Sequence, residues 1–178
     1  TKNYWTKESL KMELKIKKML DWGADPNICN PNGDWPTCLQ TAVLYRRPLT
    51  IIKLLLEYSA DVNYIEEGKT VLTAFMADEH FNPEVMTLLI NAGADVNIPE
   101  KNPPLYIAMH QKYDGDQELA QNSTYSNAAI LQTKQILLDS GANHICKAES
   151  EPFHYLFLVN SVADLELFMK PKYRMDIN

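Results

Sequence analysis

Four histidines, three cysteines and two acidic pairs are the groups with which this 178-residue chain could do chemistry. A catalytic or metal-binding histidine needs a second ligand or a proton-relay partner at a workable spacing. His80, His110, His144 and His154 have no sequence-near Asp, Cys or second His so placed, and they read as structural. Cys29, Cys38 and Cys146 are too few for a disulfide framework, and their spacing fits no zinc-ligand pattern. Nothing adjacent to Cys29 would lower its pKa and make it a nucleophile. The pairs Glu66–Glu67 and Asp78–Glu79 are the kind of acidic doublet that solvates a surface. The chain has only 6 glycines, none of them in a phosphate-cradling loop. Catalysis, a metal and a cofactor are therefore not expected.

Bulk properties narrow the field further. Apolar residues make up 46% of the chain, enough for a real core, and the length suits one domain or a short repeat array. The net charge of −6 argues against a nucleic-acid backbone as main partner, because that role needs clustered Lys and Arg. The lysine-dense stretch Lys7 to Lys18 is interleaved with apolar residues and with Glu8 and Glu13, and it reads as a solvated helix face. No apolar run approaches the ~20 residues of a membrane span, and TKNYWTKE has no signal-peptide core. Reduced thiols then suggest a cytoplasmic setting, or a host cytosol for a secreted bacterial effector. Lacking an initiator Met, the chain is expected to be a piece of something longer.

The elements that must position these residues repeat along the chain. GADPN begins at Gly23, SADVN at Ser59, GADVN at Gly93 and the weaker GANHI at Gly141, spaced by 36, 34 and 48 residues. Each string follows a run with the three-and-four spacing of a buried helix stripe, such as Ile51, Ile52, Leu54, Leu55 and Leu56. The glycine suits a helix stop because it takes the left-handed conformation at little cost. Ser59 lacks that freedom, so its cap should be strained. A second string lies upstream: TCLQTAV from Thr37, TVLTAFM from Thr70, PPLYIAM from Pro103 and EPFHYLF from Glu151. Thr37 and Thr70 suit helix capping. Pro104 and Pro152 suit the first helical turn. Leu39, Leu72, Leu105 and Phe153 are expected to point into the stack, and small Ala42 and Ala108 to let helices approach.

These paired strings resemble the ankyrin repeat, whose period is about 33 residues. The resemblance covers roughly Leu10 to Asn178. It implies an all-α fold, a solenoid of stacked helix-turn-helix repeats with finger loops. The expected organisation is a single domain over 1–178: a partial repeat at 6–31, then repeats at about 32–65, 66–99, 100–149 and 150–178. The first would be a lone outer helix from Thr6 to Trp22, and the last the least regular. Two departures stand out. The finger between Asn27 and Thr37 is long and carries Trp35. Repeat four holds about 15 extra, polar residues at 113–126, expected to form a surface loop that Ser126 ends by capping the next helix.

What remains is recognition. The family implies partners across finger tips and inner helices. Carried over by position, that face would hold Asp34, Trp35, Leu44, Tyr45, Tyr64, Glu66, Glu67, Lys69, Asp78, His110 and Gln111. Trp35, Tyr45 and Tyr64 would be its anchors, since aromatic side chains bury much area with few rotors. The acidic neighbours suit a partner protein with a basic segment. A monomer is expected, with neither nucleic acid nor membrane as its target. The alternative is a recruiting module of a larger effector enzyme whose catalytic part lies outside this chain.

Overall fold

The computed structural model describes residues 2–28, 36–77, 82–98, 102–110, 127–143, 145–147, 152–154, 159 and 161–173. The elements run α1 (Lys2–Asp21), α2 (Cys38–Leu44), α3 (Leu49–Glu57), α4 (Val71–Ala77), α5 (Pro83–Asn91), α6 (Pro104–His110), α7 (Asn127–Asp139), β1 (Ile145–Lys147), β2 (Pro152–His154) and α8 (Val162–Phe168). A 3-10 turn at Pro171–Tyr173 follows. The chain divides into two compact units, residues 1–71 and 72–178.

In the first unit, α2 and α3 pack as a pair and α1 lies against α3. Thr37 starts α2 with a reciprocal cap. Its hydroxyl accepts from the Gln40 N–H at 3.2 Å, and the Gln40 side chain accepts from the Thr37 N–H at 2.9 Å. Both residues are buried, which makes the cap hard to replace with water. Leu39, Ile51 and Ile52 are at most 1% exposed, the positions the periodicity marks as core. Burying one such side chain contributes roughly 1.5–3 kcal/mol.

In the second unit, α6 and α7 pair, α5 contacts α7, and α8 closes on α7. Asn82 caps α5 by accepting from the Glu84 N–H at 2.9 Å, and Pro83 takes the first helical position. Pro104 opens α6 as the sequence predicts. Leu72 and Leu105 are buried, as are Met86, Met109, Leu137 and Phe168.

The four glycine-type stops share one geometry. Gly23, Ser59, Gly93 and Gly141 all have positive φ, and each donates to the carbonyl three residues back. The alanine after each donates to the carbonyl five back, at 3.0 Å in every case. This is the Schellman arrangement, and it satisfies carbonyls that a helix end leaves open. Ser59 takes φ of 65° in spite of its side chain, which is the strain expected there. The aspartates that follow then fold the chain back. Asp25, Asp61 and Asp95 each accept from the N–H two residues on, at 2.8 Å.

One local expectation fails. EPFHYLF reads as a helix start, but Pro152–His154 is a strand, paired antiparallel with Ile145–Lys147 in the register Cys146 opposite Phe153. The reason is visible in the residues. Glu151 stands where Thr37 and Thr70 stand upstream, so the cap is missing. Phe153, Tyr155 and Phe157 set a period of two, which favours an extended chain. Pro152 is tolerated as a strand's first residue.

Candidate functional site

Within the first unit, the candidate face is assembled from two rigid pieces. Leu44 and Tyr45 end α2. Tyr45 is its C-cap, donating to the Thr41 carbonyl, and its side chain is 68% exposed. The chain is held there by Arg46 at φ of 51°, with Arg46 and Arg47 donating to the Val43 and Ala42 carbonyls. Leu44 is half-buried. The second piece is a two-residue hairpin. The Glu66 N–H donates to the Lys69 carbonyl at 3.0 Å, and the Lys69 N–H donates back at 2.8 Å. Glu67 and Gly68 at the tip both have positive φ, the backbone of a type I′ turn, which suits glycine and strains glutamate. Glu67 and Lys69 are exposed, Glu66 and Tyr64 half-buried, and Ile65 is 49% exposed. The hairpin therefore presents two carboxylates and one ammonium on a fixed backbone.

In the second unit, His110 is exposed at the end of α6. Its Nδ1–H donates to the Tyr106 carbonyl at 2.9 Å, and the two rings lie 4.0 Å apart, tilted by 39°. That geometry holds the imidazole against its own helix while the residue stays exposed. Asp34, Trp35, Asp78 and Gln111 lie outside the described residues, as does the insertion at 113–126. No group of three or more His, Cys, Asp and Glu side chains gathers into a metal-ligand set among the described residues. No described helix is long and apolar enough to cross a membrane.

Other features of the structure are not legible as sites in the sequence. The asparagines that end the first and third strings, Asn27 and Asn97, each bond the next string along within their unit. Asn27 donates to the Ser59 carbonyl at 3.0 Å and accepts from the Asp61 N–H at 2.6 Å. Asn97 does the same to the Gly141 carbonyl, at 3.2 Å, and the Asn143 N–H, at 2.7 Å. Helix ends are joined by charged trios. Tyr58 donates to Asp21 and accepts from Lys17 at 3.0 Å. The Tyr58 bond, then Asp21, raises the Lys17 pKa, and the Tyr58 bond lowers that of Asp21. Tyr173 and Lys172 both donate to Asp139. Lys134 and Asp164 form an ion pair of 2.7 Å between α7 and α8, with both side chains fully buried. Burial pushes the Lys134 ammonium down, and the Asp164 bond opposes it. A groove of about 340 Å³ opens beside this contact, lined among others by Leu131, Gln132, Ala163 and Glu166. Leu10, Leu14 and Met19 on α1, and Trp22 just after it, are 56–83% exposed.

No family model matches the chain. Two curated relatives do. Over 88 residues, 49% of the chain, it is 35% identical to the rat (Rattus norvegicus) ankyrin repeat and SAM domain-containing protein 6. Over 81 residues, 44% of the chain, it is 40% identical to an ankyrin repeat protein of fowlpox virus. The matched parts span 10% and 23% of those proteins' own lengths. Both relatives carry the repeat in their names, so the fold is all-α and the chain is similar to ankyrin repeat proteins over about half its length.

Proposed function

We propose that the chain binds a partner protein through the end of α2 and the hairpin tip that follows α3. The observation that carries this reading is Tyr45. A large aromatic is 68% exposed on a backbone that two main-chain bonds and a positive-φ residue hold still. Preorganised aromatics make good anchors because little conformational freedom is lost on binding. Leu44, Tyr64, Glu66, Glu67 and Lys69 extend the surface within this unit. Glu66 and Glu67 favour a partner segment bearing Lys or Arg, and that complementarity mainly sets association rate and specificity. Asp34 and Trp35 join this surface by their place in the repeat. Asp78, His110 and Gln111 belong to the second unit, where their place in the repeat makes them a separate set of partner-contacting candidates.

The test is affinity capture with the wild type beside a Trp35→Ala, Tyr45→Ala, Tyr64→Ala variant, with thermal unfolding of both. A protein held by the wild type and lost by a variant that melts at the same temperature supports the reading. Equal capture by both, or a collapse of the variant's melting transition, would overturn it.

A further inference from the structure

Helix α1 hides one stripe and shows another. Met12 and Ile16 are half-buried and Leu20 is buried, at the i, i+4, i+8 positions of a stripe packed against α3. At about 100° per residue, the opposite side carries Leu14, Lys18, Lys11 and, just past the helix end, Trp22, with Leu10 and Lys15 beside them. Leu10, Leu14 and Trp22 are 64%, 56% and 83% exposed, and Met19 is 58% exposed. Lys11, Lys15, Lys17 and Lys18 are all exposed. Of the acidic groups between Leu10 and Asp21, Glu13 is half-buried and Asp21 is engaged by Lys17 and Tyr58. The chain as a whole is acidic, at −6, so this face locally reverses its sign.

We propose that the outward face of α1 is a docking surface for an anionic lipid bilayer. Lysines interleaved with leucine and tryptophan are the composition that lies in a bilayer interface, where apolar tips enter the headgroup boundary and ammonium groups meet lipid phosphates. The surface is one exposed helix face with long, flexible lysines, which suits a fluid target. A nucleic-acid backbone would use the lysines but leave Leu10, Leu14 and Trp22 without a role. The expectation of no membrane partner rests on the lack of a spanning segment, and docking at the surface needs none. The inference is independent of the protein-binding surface at Tyr45.

The experiment is co-sedimentation of the full chain with vesicles of pure phosphatidylcholine, and with vesicles in which about a third of the lipid is phosphatidylserine. The wild type is expected to sediment with the anionic vesicles only, less so as salt is raised. A Lys15→Glu, Lys18→Glu variant is expected to lose on the order of tenfold or more in partitioning. A Lys15→Gln, Lys18→Gln variant is expected to lose less, with the thermal transition of both unchanged. Trp22 emission should shift to the blue on anionic vesicles, a change absent in Trp22→Phe. Equal partitioning of wild type and both lysine variants, or no sedimentation with anionic vesicles, would overturn the proposal. So would retention by short duplex DNA but not by vesicles, which would turn the lysines over to nucleic acid.

Discussion

The contacts α1 to α3 in the first unit and α7 to α8 in the second are built to one plan, but their interiors differ. Each unites two helix ends through an aspartate two residues before the stop glycine, a tyrosine and a lysine: Asp21, Tyr58 and Lys17 in one, Asp139, Tyr173 and Lys172 in the other. In the first, the lysine shares a helix with the aspartate and stacks 5.4 Å over the Tyr58 ring. In the second, it neighbours the tyrosine in sequence. Behind the first trio lie Leu20 and the apolar side of α3. Behind the second lies the fully buried Lys134–Asp164 pair. The outer trio is an exposed tether, worth little in water. The buried pair works differently. Its desolvation cost is offset only while both charges stay together, so it ties α8 to one register on α7.

The largest expected effect follows from that difference. Lys134→Ala removes the ion-pair partner of the buried Asp164 carboxylate and should lower unfolding stability by about 3–5 kcal/mol. Replacing the pair together, Lys134→Met with Asp164→Leu, should return most of it. Asp21→Ala, which opens the tether of the first unit, should do far less than Lys134→Ala. Chemical denaturation of the three variants ranks them. If Lys134→Ala and Asp21→Ala cost the same, the two contacts are alike after all.

The second comparison is between the stitching asparagines. Asn27 and Asn97 each make two bonds to a neighbouring string, in separate units. At about 1 kcal/mol per bond, Asn27→Ala and Asn97→Ala should each cost about 2 kcal/mol. Amide exchange at Asp61 and Asn143 should quicken only in the variant of their own unit. Exchange that quickens in both would mean the stitches act through global stability.

How much of this was readable beforehand divides along the same line. Whatever a residue does to its own few neighbours was legible: the Gly23, Gly93 and Gly141 stops, the strained Ser59, the Thr37 cap and the buried Leu39, Leu72 and Leu105. These are backbone requirements or periodicities, and they are written locally. The Tyr45 placement at an inner-helix end was legible through the repeat alone. Lys134 and Asp164 were not, because they lie 30 residues apart and each alone reads as a surface charge. Tyr58 and Asp21 escaped for the same reason at a separation of 37. The strand at Pro152–His154 was missed because its repeat position outweighed an alternation of aromatics that was in plain sight.

A swap at the helix stops sharpens the comparison further. Ser59 and Gly141 hold the same left-handed turn, φ 65° and 85°, one with a side chain and one without. A Cβ built on Gly141 meets nothing within 4 Å, so any penalty there is backbone strain alone. Ser59→Gly should therefore stabilise by about 1 kcal/mol, and Gly141→Ser should cost a similar amount. Thermal melts of the two variants check it. A destabilised Ser59→Gly would show that the serine contributes more than it strains.

The smallest effect is a titration, and it belongs to the second unit's trio. Burial, then the bond to Asp139, pushes the Tyr173 phenol up to about 12 from its ordinary 10. The bonds from Lys172 and then Tyr173 hold the Asp139 carboxyl below its usual range. A phenol whose native pKa is raised supports the fold fully below the unfolded value, and the support is lost as pH climbs from about 10 towards 12. The depressed carboxyl works in the opposite direction. Its support holds above the ordinary value of 3.8 and is lost as pH falls through the lower native one. Ultraviolet titration of the wild type against Tyr173→Phe should therefore show one tyrosine ionising late. In the wild type, the amides of Val162–Phe168 should lose protection as that phenol ionises. An ordinary titration at Tyr173 would mean that the phenol is neither buried nor bonded to Asp139 in solution, and that the buried pair alone holds α8 in place.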